Sequence, residues 1–118
     1  TFSWAAEQAM KNVEEALAFM GRFEGPRMLV GDLNQTPDSD AVAGLIKAGW
    51  IDAWAQCNPD KKGFTFVENG KFVKRIDYTW LDPSLAGQLE SIRLTANTAT
   101  TLDDRRGSDH AALLATFR

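Results

Sequence analysis

Three short acidic motifs carry most of the chemistry that this sequence offers. They are Gly31-Asp32-Leu33-Asn34, Arg75-Ile76-Asp77-Tyr78 and Gly107-Ser108-Asp109-His110, each near the end of an apolar run. Together they hold three carboxylates, one carboxamide and the chain's single histidine. Carboxylate oxygens suit a hard divalent cation. Histidine is the one side chain whose ordinary pKa lies near neutrality. A set of this kind can hold a divalent cation and a phosphate ester. Nothing N-terminal to Asp32 adds to the cluster, so the chain reads as half of a site.

Each motif has a competing structural reading. Asp32 and Asn34 follow an apolar run and straddle one residue. In extended backbone, residues i and i+2 face the same way, so carboxylate and carboxamide are expected to meet at the strand's C-terminal end, where α/β sheets bind ligands. The alternative is a turn leading into Thr36-Pro37. Around Asp77 the chain alternates, with Ile76, Tyr78 and Trp80 on one face and Arg75, Asp77 and Thr79 on the other. A carboxylate among aromatic residues is costly to bury unless paired; the alternative is an Arg75–Asp77 surface pair. Asp109 and His110 point apart if extended and are expected to do different jobs, the alternative being a capped loop end with a surface histidine.

The elements that must position these residues can be read from periodicity. Residues Trp4 to Met20 predict a helix, with Ala6, Ala9, Met10, Val13, Leu17 and Met20 on one face. Glu24-Gly25-Pro26 predicts a turn, and Arg27 to Gly31 a short strand apolar on both faces, as in parallel or mixed sheets. Asp40 to Ala48 predicts a second helix, capped by Asp38 or Ser39 and ended by Gly49. Residues 64–67 and 72–81 predict a hairpin around Asn69-Gly70. Leu89 to Ala96 and His110 to Phe117 predict two more strands, separated by a polar loop from Asn97 to Gly107. The order predicts an α/β (or α+β) chain, residues 1–118 forming one domain, with a mixed sheet and two helices on one face. Two helices cover only one face, so the other is expected to bury against a second copy or a missing segment.

Composition sets the limits. The 118 residues are 44% hydrophobic and 25% charged, with a formal charge of −3, so tight non-specific binding to duplex nucleic acid is not expected. No apolar run reaches the roughly 20 residues of a membrane helix, and no secretory leader is legible. The compartment is left open. The lone cysteine, Cys57, excludes an intramolecular disulfide and reads as structural. Small basic groups occur at Lys71, Lys74 and Arg75 and at Arg105 and Arg106; they read as solvated loop charge. The four tryptophans read as core or interface.

Taken together, Gly-Asp-Leu-Asn, Arg-Ile-Asp-Tyr and Ser-Asp-His closing on a terminal strand resemble the endonuclease/exonuclease/phosphatase superfamily. The match takes in Thr65-Phe66 ahead of Arg75-Ile76-Asp77. It covers nearly the whole chain, but only the C-terminal half of the family domain. That domain is a four-layer αββα sandwich, of which this chain would supply one sheet and its helices. The family's Thr-His pair, upstream Asn and metal-binding Glu have no counterpart here.

The resemblance implies Mg²⁺-dependent (or Mn²⁺-dependent) hydrolysis of a phosphodiester or phosphomonoester, with nucleic acid as the leading substrate. It implies that Asp32 orients or deprotonates the attacking water and that Asn34 holds the phosphate or that water. Asp109 would contribute to the metal site, His110 would contact the scissile phosphate, and Asp77 would orient His110 and keep it protonated. With one metal carboxylate in hand, the isolated chain is expected to bind metal poorly and to turn over slowly. Other readings are a non-catalytic half-domain that dimerises through its sheet, and a phosphatase or sphingomyelinase type of phosphoesterase.

Overall fold

The computed structural model describes residues 4–95 and 108–118. Helix α1 (Trp4–Met20), strand β1 (Met28–Asp32), helix α2 (Asp40–Lys47) and strand β2 (Ile51–Asp52) come first. They are followed by α3 (Ala53–Cys57), β3 (Phe66–Glu68), β4 (Lys71–Lys74), β5 (Asp77–Leu81), α4 (Pro83–Ala86), β6 (Leu89–Thr95) and β7 (Ala112–Phe117). The chain is mixed α/β, with more helices and smaller sheets than the sequence suggested. Instead of one mixed sheet, the described strands form three antiparallel groups, β1-β5-β2, β3-β4 and β6-β7. The polar stretch at 97–107, with Arg105 and Arg106, lies outside the described residues.

The reason for the smaller sheets sits at residues 75–76. The expected single strand over 72–81 breaks there, and β4 stays with β3 while β5 joins β1 and β2. Asn69 and Gly70 both adopt positive φ, 52° and 77°, which lets the β3-β4 hairpin turn in two residues. The two extra helices are too short to leave a helical period in the sequence. Each is started by an aspartate that accepts from first-turn amides: Asp52 from Trp54 and Ala55, Asp82 from Leu85.

Two apolar cores result. In the first, Ala9 and Val13 of α1 and Ala41, Val42 and Leu45 of α2 pack on Tyr78 and Trp80 of β5, with Trp50 beside them. Ser39 caps α2 by accepting from the Val42 amide. Burying a large apolar side chain contributes about 1.5–3 kcal/mol, so Tyr78 and Trp80 anchor β5 firmly against the helices. The second core joins Trp54, Leu81, Ala86, Leu89 and Ile92. Cover on both faces of β1, expected from its apolar run, is not met among the described residues. Leu29 faces the helices, whereas Met28 is 43% exposed and Val30 62%. Strand β7 behaves likewise: Leu113, Ala115 and Phe117 pack inward while Leu114 is exposed.

Candidate active site

The β1–β5 register sets Asp32 directly opposite Asp77, at the end of the helix-covered sheet. Like charges facing each other across a ladder are destabilising. The described structure answers this with His110. Its Nδ1 lies 2.7 Å from Asp77 Oδ2 and its Nε2 3.7 Å from Asp32 Oδ2. The imidazole thus bridges the two acids.

His110 arrives from the far end of the chain. Residues 109–111 run antiparallel to 65–67: Val67 donates its amide to the Asp109 carbonyl and Ala111 donates to that of Thr65. Phe66 bridges to His110 in the backbone and sets its ring edgewise against the imidazole, 5.2 Å between centroids. The His110 pKa is raised above 6.5, first by the hydrogen bond to Asp77 and then by the charges of Asp77, Asp32 and Asp109, with partial burial opposing. The arrangement favours the charged form of the imidazole, with Nδ1 directed at Asp77 and Nε2 towards Asp32 and Asp109.

Asp109 does not diverge from His110 as an extended chain would require. The His110 amide donates to the Ser108 hydroxyl at 3.0 Å, bending the segment. This brings Asp109 Oδ1 to 3.7 Å from Nε2 of its neighbour, and leaves its side chain 67% exposed. Nor do Asp32 and Asn34 share a face through strand geometry. Strand β1 ends at Asp32, Asn34 takes φ +52°, and its amide donates to Asp32 Oδ1 at 2.7 Å. The turn reading holds for the backbone here, and it fixes the Asp32 carboxylate rather than displacing it. Beside this turn a cleft of about 220 Å³ opens between α1 and the Asp32–Asn34 segment, lined by Trp4, Gln8, Asn12, Asp32 and Asn34.

Arg75 takes no part in the cluster. It turns inward to a buried ion pair with Asp52, Nη1 to Oδ2 2.8 Å, and leaves Asp77 to His110. Sequence reading paired Arg75 with Asp77 as the bland alternative; the Asp52 partner, isolated among apolar residues 50–54, was the available signal. Phe66 was likewise missed as a wall of the site, although it lies in the Thr65-Phe66 stretch.

The cluster is of a kind that could hold a metal ion. Ligand atoms of Asp32, Asp77 and His110 lie within 4.8 Å of one another. Asp77 is engaged by Nδ1, while oxygens of Asp32 and of the more exposed Asp109 each lie 3.7 Å from Nε2. Magnesium is commonly held by one or two carboxylates together with waters and substrate phosphate.

No protein-family model and no curated protein matches the chain. Solved structures do. An AP endonuclease from Archaeoglobus fulgidus superposes with a TM-score of 0.78 at 16% identity, over 98% of this chain and 55% of that one. The 3′ phosphatase NExo from Neisseria, bound to a product DNA hairpin, gives 0.71 at 22% identity, over 98% and 52%. An endonuclease/exonuclease/phosphatase family protein from Leptotrichia buccalis gives 0.67 at 18%, over 90% and 41%. The chain has the endonuclease/exonuclease/phosphatase fold. It spans about half the length of the first two of these structures. Within that fold, the exposed face of β1 marks where this chain leaves apolar surface without cover. Among the described residues no helix is long and apolar enough to cross a membrane.

Proposed function

We propose that this chain is the catalytic C-terminal half of a Mg²⁺-dependent phosphodiesterase acting on nucleic acid. The observation that carries the proposal is the Asp77–His110–Asp32 row, an imidazole held between two carboxylates at the end of β1 and β5. Asp77 fixes the imidazole and favours its charged form. His110 Nε2–H is then a donor for a non-bridging phosphate oxygen, where negative charge builds during attack. Asp32, whose Oδ1 accepts from the Asn34 amide, is assigned the proton of the attacking water. The new P–O bond forms from that water, the P–O bond to the departing sugar oxygen breaks, and that oxygen leaves with a solvent proton. Asn34 is assigned to the phosphate or the water. Asp109 would hold Mg²⁺, which when bound offsets charge on the phosphate oxygens.

Further carboxylate support for the ion is assigned to the half of the fold that this chain does not span, so the chain by itself binds Mg²⁺ weakly and turns over slowly. The test is nicking of supercoiled plasmid by the purified chain, with EDTA and His110→Ala controls. Slow nicking that requires both Mg²⁺ and His110 supports the proposal. Nicking indifferent to EDTA or to His110→Ala would overturn the assignment. Turnover matching an intact relative would overturn the half-site reading.

A second reading rests on the exposed Met28 and Val30. A non-catalytic half-domain would use this face to pair with a second copy. No nicking, together with a stable dimer in sedimentation equilibrium that Val30→Glu dissociates, would favour it.

A further inference from the structure

Thr65 is fully buried and sits between the two arms of the His110–Asp77 pair. Its hydroxyl oxygen accepts from the backbone amides of Ile76 at 3.1 Å and Asp77 at 3.2 Å. Its carbonyl accepts from the amide of Ala111 at 2.7 Å, next to His110. Its own amide donates to the Lys74 carbonyl at 2.9 Å. One residue therefore fastens the segment carrying the acid to the segment carrying the base. The amides of Ile76 and Asp77 fall where the chain passes from the β3-β4 hairpin to the three-stranded sheet, and buried amides must find an acceptor. A side-chain hydroxyl meets that need without a strand, which frees Asp77 to face His110.

We propose that Thr65 is a positioning residue for the Asp77–His110 pair, acting through the backbone on both sides of their hydrogen bond. Its catalytic consequence rests on the phosphoesterase reading above; its geometric claim does not. Hydrogen bonds weaken steeply when misaligned, and misplacing a reacting group by about 1 Å can cost about 10²-fold in rate.

The experiment uses the fact that the chain has a single histidine. A proton on Nδ1 held by Asp77 gives one far-downfield proton NMR resonance with no ambiguity of assignment. Thr65→Val keeps the shape and removes the acceptor; Thr65→Ser keeps the acceptor and removes the methyl. Asp77→Asn supplies the spectrum of the broken pair. The resonance is expected in wild type and Thr65→Ser, and lost or moved upfield in Thr65→Val while the Tyr78 and Trp80 ring signals stay native. Where nicking is measurable, Thr65→Val lowers its rate about 10²-fold with KM little changed, and Thr65→Ser restores it.

An unchanged resonance in folded Thr65→Val, or none in wild type, would overturn the proposal. Should valine prevent folding, Thr65→Ala, which leaves room for a water at the two amides, takes its place. Failure of both to fold beside a native Thr65→Ser would replace the positioning role with a purely structural one. The phosphoesterase reading fails in a separate way: wild type shows the resonance but no Mg²⁺-dependent nicking, and the Thr65 assignment stands.

Discussion

Arg75 and Asp77 are two residues apart, yet they enter ion pairs of opposite kinds. Arg75 and Asp52 are buried, at 8% and 7% side-chain exposure, and the guanidinium also lies over the Tyr78 ring. Asp77 and His110 are more open, at 20% and 27%, and a neighbouring cleft reaches Asp32. The first pair joins a permanent cation to a carboxylate that also caps a helix. The second pairs a carboxylate with a group that can gain or lose a proton near neutrality. One strand junction thus separates a fixed charge pair that holds the fold from an adjustable one that can do chemistry.

Breaking the buried pair is the strongest challenge to this contrast. Arg75→Met leaves Asp52 charged and unpaired, and is expected to cost about 3–5 kcal/mol in urea unfolding. A loss under about 1 kcal/mol would mean that the pair is not structural. Asp77→Asn should do the reverse. It lowers Mg²⁺-dependent nicking by about 10²-fold and shifts unfolding free energy by less than about 1 kcal/mol.

The structural side is sharpened at Gly63, which sits at φ +68° against the Trp54 ring. A Cβ there would lie 2.4 Å from the Trp54 ring atoms, whose Nε1 donates to the Lys61 carbonyl. Gly63→Ala is expected to destabilise by about 1–3 kcal/mol, read as a lower melting temperature, with nicking per folded molecule unchanged.

The smallest effect is the pH dependence of the open pair. Because Asp77 raises the His110 pKa above 6.5, the pair's contribution to stability is complete below that ordinary value. It is lost as pH rises through the raised folded value. Melting temperature should therefore fall from mildly acidic to mildly alkaline pH by more in wild type than in His110→Gln. Parallel curves would show that the open pair contributes nothing to folding.

The long features were legible because they repeat. Helix α1 spans the residues that the spacing of Ala9, Val13 and Leu17 predicts, and Asn69-Gly70 announces its hairpin. Ser39 and Gly49 frame α2 as their types suggest. What escaped was short or non-local. Helices α3 and α4 have five and four residues, too few to show a period. The break between β4 and β5 depends on a hydroxyl ten or more residues away, which no window on Lys71 to Leu81 contains. Arg75 found Asp52 rather than Asp77 because only the folded chain brings the two together. For the candidate site, the residue types were readable and so was their grouping by resemblance. The Asn34 turn and the bend at Ser108, which set where the oxygens point, were not.

The facing of Asp32 and Asp77 has a consequence for how the chain holds together. Both acids precede residue 110 in the chain, so a β1–β5 pair formed without His110 would set two carboxylates face to face. The segment at 109–111 carries the ring that bridges them. The segment carrying His110 acts as a latch on the β1–β5 pair, and a chain cut short before it would carry a strand pair weakened at its end nearest the site.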